Sequence, residues 1–189
     1  MRYVDEPAFL ALRADPDAVA KVTLTTPEGS FSLVRVSPGR WVTPERADYP
    51  VAVDQVRDLI VALADMRLIE PKTTRADRYA RLEVEDVGGE DAKSRLIKLE
   101  SADGQTLAEA IVGKQRPRLT GTEAAGTYIR RPGEAQSWLA SGGLPLEPAV
   151  TDWLVDEVVD LEGERIRRIE VRPASGPAYA RCAPSRARR

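Results

Sequence analysis

Three times along the chain two apolar residues stand two positions apart and a glycine follows five positions after the second. The sets are Val22, Leu24 and Gly29; Ile97, Leu99 and Gly104; and Ile169, Val171 and Gly176. The second set is offset by 75 residues from the first, and the third by 72 from the second. Around the first set the alternation is longest: Lys21, Thr23, Thr25 and Ser32 fall between or beside Val22, Leu24, Phe31 and Leu33, with Pro27-Glu28-Gly29 at the tip. Period-two alternation belongs to a half-buried strand, and proline and glycine supply the turn dihedrals. Ser101-Ala102-Asp103-Gly104 and Pro173-Ala174-Ser175-Gly176 stand where the other two turns belong. The chain therefore builds β-hairpins. The three sets read either as copies of one duplicated unit or as independent hairpins, because alternation and turn glycines are generic.

Between the first two hairpins the period changes. Val56, Leu59, Ile60, Leu63 and Met66 form an apolar stripe at helical spacing, with Asp54 in the first turn, Arg67 near the end and Pro71 closing the segment. Shorter helical pieces are expected around 8–13, 75–82 and 148–159, the last carrying Trp153, Leu154 and Val158. Gly126 to Arg130 and Gln136 to Ala140 read as strands joined around Pro132-Gly133. This order predicts an α+β fold, with repeated β-hairpins in mainly antiparallel sheets packed on one main amphipathic helix and shorter ones. Residues 1–17 read as an N-terminal extension, 18–172 as the folded region, divisible into similar halves at 18–90 and 91–172. From Arg172 onward there are five arginines and no acids, so 173–189 reads as a disordered tail whose only strand signal is Tyr179 with flanking alanines.

The composition removes several chemistries. There is no histidine, so Ser-His-Asp, Cys-His and histidine-based zinc sites are excluded. The lone Cys182 forms no internal disulfide and has no histidine to activate it. A net charge of −2 gives no global reason to expect nucleic acid as a partner. No apolar run approaches the roughly 20 residues that span a bilayer, and the charged, proline-interrupted start is unlike a signal peptide. The expectation is a soluble chain as given.

The densest internal cations are Lys114, Arg116, Arg118, Arg130 and Arg131. They read either as arginine forks for a phosphate or carboxylate of a ligand or partner, or as a solvated loop balanced by nearby acids. The terminal arginines admit nucleic acid or anionic lipid, or a solvated tail. Glu83, Glu85, Asp86, Glu90 and Asp91 flank Gly88-Gly89 and read as a mobile acidic loop, or as oxygen ligands for calcium or magnesium, although the spacing is not that of an EF-hand. Gly113-Lys114 lacks the preceding glycine of a phosphate loop. Trp41, Trp138 and Trp153 read as core anchors or as a ligand cage. No catalytic, cofactor or metal residue emerges.

Taken in order, Val22-Thr23-Leu24 with Gly29 and Leu33, Trp41, Tyr49-Pro50-Val51 leading into the main helix, Tyr79 to Leu82, Ile111 to Lys114, Gly126 to Arg130, Trp138 to Ala140, Asp152 to Leu154 and Ile166 to Val171 resemble a bacterial family called domain of unknown function 4340. The resemblance covers about residues 18–172. It implies an extracytoplasmic, periplasmic domain, normally anchored by one N-terminal transmembrane helix and linked with ABC-type transport systems, including those of gliding motility. No catalytic residues are established for that family. With no anchor here, membrane association is expected only through a missing segment or a partner. The expected function is a non-catalytic accessory or interaction domain whose partners are ABC-type transporter subunits. The alternative is an extracytoplasmic module for a small ligand or glycan, and an enzyme using carboxylates and arginine comes third.

Overall fold

The computed structural model describes residues 5–89, 91–116, 125–156, 168–171 and 179–182. They divide into two compact units, one ending at Val155 and the other starting at Asp156. The first unit holds a ten-stranded sheet in which every pairing is antiparallel. Its strands are β1 (Glu6–Pro7), β2 (Val19–Thr26), β3 (Gly29–Ser37), β4 (Arg40–Thr43), β5 (Tyr49–Pro50), β6 (Arg67–Pro71), β7 (Arg95–Ser101), β8 (Thr106–Arg116), β9 (Gly126–Arg130) and β10 (Ser137–Ser141). The spatial order is β1-β6-β10-β9-β8-β7-β2-β3-β4-β5. With the helices α1 (Leu10–Ala14), α2 (Val53–Ala64) and α3 (Tyr79–Leu82), this is the α+β architecture that the alternation predicts.

The first two hairpins meet at the centre of the sheet. Val22 lies opposite Leu99 and Leu24 opposite Ile97, while Leu33 and Phe31 flank them on β3 and Ala108 and Ala110 on β8. Thus the first apolar residue of one copy faces the second apolar residue of the other. All of these side chains are buried in one cluster, on one face of the sheet, so the two sets are related in their pairing by a local two-fold normal to the sheet.

The same face carries α2. Val56, Leu59, Ile60 and Leu63 are buried, as their spacing predicts, and Ala64 joins them. Met66 is buried just beyond the helix, and the chain turns at once into β6. Phe9 and Leu12 of the α1 region also lie in this core, so the residues expected as an N-terminal extension supply part of it. Each fully buried aliphatic side chain contributes about 1.5–3 kcal/mol relative to an exposed one.

The outer strands at both ends of the sheet are two residues long and contain a proline, Pro7 and Pro50. Proline withholds a donor and short strands offer little to pair with, which blunts an edge. Beyond β5 the chain also seals itself: Ala52 N–H donates to Trp153 O at 2.8 Å, Val155 N–H donates to Pro50 O at 3.1 Å, and Val51 bridges to Leu154. This corrects one sequence expectation. The helix expected over 148–159 is a single 3-10 turn, Val150–Trp153, because Leu154 and Val155 are extended to pair with Val51 and Pro50; residues 157–159 lie outside the described residues. Trp153 is buried in the main core, and its indole N–H donates to Glu147 O at 3.0 Å.

In the second unit β11 (Arg168–Val171) pairs with β12 (Tyr179–Cys182), Val171 opposite Tyr179 and Ile169 opposite Arg181. The third hairpin is therefore present as a strand pair, and β12 lies within the segment read as an arginine-rich tail. Its turn, including Gly176, and residues 183–189 lie outside the described residues.

On the opposite face of the sheet, Ile111, Leu96 and Tyr128 pack with Tyr79, Leu82 and Val84 in a smaller cluster. The segment docks closely over Gly113. A Cβ at that position would sit 2.2 Å from Leu82 O, 2.7 Å from Glu83 O and 2.8 Å from a Val84 methyl. The glycine of Gly113-Lys114 thus serves close backbone approach, not phosphate binding. Gly113→Ala is expected to cost about 2–3 kcal/mol through overpacking against backbone, measured by denaturant unfolding; Gly88→Ala, where a Cβ meets nothing, is expected to stay within about 0.5 kcal/mol. Equal effects at the two positions would contradict the docking. On α2, Leu59→Ala is expected to cost about 2–5 kcal/mol, whereas Val61→Ala on its exposed side is expected to be close to neutral.

Candidate functional site

Of the five cations singled out in the sequence, Lys114, Arg130 and Arg131 each engage different partners. Arg130 stands opposite Ile111 in the β8–β9 register and therefore points into the smaller cluster. Its side chain is only 5% exposed. Nε donates to Val84 O at 2.8 Å, Nη1 donates to Glu134 O at 3.1 Å, and Nη2 pairs with the Asp86 carboxylate. The guanidinium lies 4.6 Å from the centroid of the Tyr79 ring, within cation–π distance, and the Tyr79 hydroxyl donates to Ala135 O at 2.6 Å. All three guanidinium nitrogens are engaged, so Arg130 is a structural tie between β9, the 84–86 segment and the turn at Glu134.

Arg131, the next residue, leaves in another direction: Nη2 donates to Ala8 O at 2.8 Å and Nη1 lies 3.6 Å from Glu134. Lys114 Nζ donates to Arg81 O at 3.1 Å and pairs with Glu83 at 3.7 Å, holding α3 to β8. Arg116 is half-buried, and its side chain makes no hydrogen bond or ion pair among the described residues. Arg118 lies outside them. The acidic loop is likewise partly docked: Glu83 holds Lys114, Asp86 holds Arg130, and Glu85 accepts the Lys93 backbone N–H at 2.7 Å. Among the described residues no three acidic or cysteine side chains converge to hold a metal ion; Glu90 is outside them.

Two other surfaces are open to solvent or to a partner. The first is the face of β2, β3 and β7 turned away from the core. Thr23 lies opposite Ser32 and Lys98, Lys21 opposite Glu100, and Lys98 opposite Glu109. These side chains are half-exposed. Thr25 and Ser30 hydroxyls are 3.0 Å apart, and Lys98 pairs with Glu100 at 2.8 Å. That hydrogen bond raises the Lys98 pKa above its ordinary value. At the far end of β7, Asp103 is lowered by the Ser101 hydroxyl bound to its carboxylate.

The second surface is a cleft of about 180 Å³ between α2, the 3-10 turn Pro16–Ala18 and the β3–β4 hairpin. Val19, Trp41 and Ile60 form its buried floor, with Val53 and Val61 beside them. Arg35, Arg57 and Asp17 supply its polar groups. Sequence reasoning passed over Arg35, yet a signal was there: the alternation that buries Phe31 and Leu33 carries position 35 to the same face, placing a cation at the end of an inward-facing row. Trp41 belongs to both the core and the cleft, whereas Trp138 packs against the core with an indole N–H that has no partner among the described residues, and Trp153 is wholly inside.

A family model, domain of unknown function (DUF4340), matches residues 41–180. The chain belongs to this family. The match begins at Trp41, runs through α2, the docked 76–84 segment, Arg130 and β11, and ends within β12. Neither curated proteins nor solved structures gave a match. No helix among the described residues of this DUF4340 chain is long and apolar enough to cross a membrane.

If Arg130 is a tie and Lys114 a surface ion pair, they separate in stability. Arg130→Ala strands two carbonyls and is expected to cost about 3 kcal/mol. Lys114→Ala is expected to cost less than about 1 kcal/mol. Denaturant unfolding of both variants decides, and a near-neutral Arg130→Ala would contradict the assignment.

Proposed function

We propose that this DUF4340 chain is a non-catalytic interaction domain that serves an ABC-type membrane transport complex from the extracytoplasmic side. The observation that carries the reading is the half-exposed face of β2, β3 and β7, where Lys21, Thr23, Ser32, Lys98 and Glu100 are presented on the most firmly anchored strands of the sheet. Such a face offers a rigid, hydrogen-bonding and charged surface for another protein. Family membership supports the setting. The alternative, a module for a small ligand or glycan, draws support from the cleft at Trp41. Its volume of about 180 Å³ falls below the roughly 300–1,000 Å³ of drug-sized ligand sites, and Trp153 is buried and offers no ring face to a ligand. The balance favours a protein partner.

Capture from membranes of the source cell, with the chain immobilised, tests the reading. Recovery of ABC-type transport subunits by the wild-type chain, and its loss in a Lys21→Glu, Lys98→Glu double variant of unchanged thermal stability, is the expected result. No recovery of such subunits by the wild-type chain overturns the transport reading. Undiminished recovery by the variant moves the contact to another surface.

A further inference from the structure

The cleft between α2 and the β3–β4 hairpin combines three features. Its floor is apolar, built from Val19, Trp41 and Ile60, and Val61 beside it is 48% exposed, a large aliphatic side chain that the fold itself leaves open. Second, the half-buried Arg35 stands at its lip. Nη1 of Arg35 donates to Asp17 O at 2.8 Å, which tethers one of its nitrogens, yet Arg35 has no carboxylate within ion-pair distance among the described residues. Every other cation at the cleft is already compensated: Arg57 is paired with Asp54 at 2.9 Å. Third, the Trp41 indole N–H makes no hydrogen bond among the described residues. A half-buried guanidinium without a counter-ion beside an apolar floor is complementary to a carboxylate carried next to an aliphatic group. The volume suits one or two side chains rather than a whole metabolite.

We propose that this cleft receives an aliphatic residue with an adjoining carboxylate, presented by a protein partner, with Arg35 holding the carboxylate and Trp41, Ile60 and Val61 the aliphatic group. The proposal rests on the interaction-domain reading and adds a second contact to it, chemically distinct from the sheet face. Asp17, which lines the cleft beside Arg35, disfavours a partner with two acids side by side.

The test titrates the full-length isotope-labelled chain with N-acetyl-leucine and, separately, with N-acetyl-leucinamide, which lacks the charge. Saturable shifts are expected at the Trp41 indole and at the amides of Val53 to Val61, with the acid bound about tenfold more tightly than the amide. Arg35→Gln is expected to bring the two within about twofold of each other. Val61→Asp, a change at an exposed position, is expected to abolish both. Absence of saturable shifts at these positions, or equal affinity for acid and amide in the wild-type chain, overturns the proposal. Membrane capture with Val61→Asp separates this proposal from the reading on which it rests. Reduced recovery of transport subunits supports the cleft as a docking site. Undiminished recovery overturns the cleft assignment and leaves the interaction domain standing. No recovery even by the wild-type chain removes the partner from both.

Discussion

The seam between β2 and β7 is the interaction on which the rest of the first unit depends. Val22 across from Leu99 and Leu24 across from Ile97 join two hairpins whose apolar residues lie 75 positions apart in the sequence. Each hairpin alone is a marginal two-stranded ribbon. Joined, they make a four-stranded core of sheet, and the remaining strands spread outward from it, β4 and β5 beyond β3 and β9, β10, β6 and β1 beyond β8. The pairing closes a long loop, whose entropic cost grows only slowly with length. It is offset by burying both rows of side chains beneath α2. The two-fold relation within the seam lets one pattern satisfy both partners, since the copy's first residue meets the other copy's second.

The two faces of this sheet are treated unequally. One is mainly apolar and covered by α2, α1 and the 144–153 region. The other is divided: over β8, β9 and the Leu96 end of β7 it is covered by the 76–84 segment, and over β2, β3 and the rest of β7 it is mostly polar and half-exposed. Gly113 and Arg130 hold the covered half, one by permitting backbone contact and the other by filling the junction with a satisfied charge. Burying a guanidinium costs desolvation, and here carbonyls, the Asp86 carboxylate and the Tyr79 ring offset it. The open half is what a partner can reach.

The sequence made the hairpins, α2 and the β9–β10 pair legible because their apolar periods are long enough to stand out, and the resemblance to DUF4340 rested on the same elements. Strand β6 was hidden. It follows α2 almost without a break, and Leu68 and Ile69 are adjacent rather than alternating, so only pairing with β10 and β1 makes it a strand. The 150–155 segment has helix-compatible spacing in Val150, Trp153 and Leu154, but its backbone is taken by Pro50 and Ala52. Arg130 and Arg131 diverge for a related reason: successive side chains along extended backbone point to opposite sides, so adjacency in the sequence does not bring them to one place. Arg35, isolated among apolar neighbours, gave no cluster to notice, and only the position of α2 turns it into part of a cleft.

Hydrogen exchange measured amide by amide tests the central claim that the β2–β7 seam organises the first unit. The account predicts the slowest exchange at Val22, Leu24, Ile97 and Leu99 and their neighbours in β3 and β8, with β1 and β5 opening at much lower free energy. Seam amides that exchange as fast as those of β1 and β5, while the outer strands β6 and β10 remain protected, would contradict it.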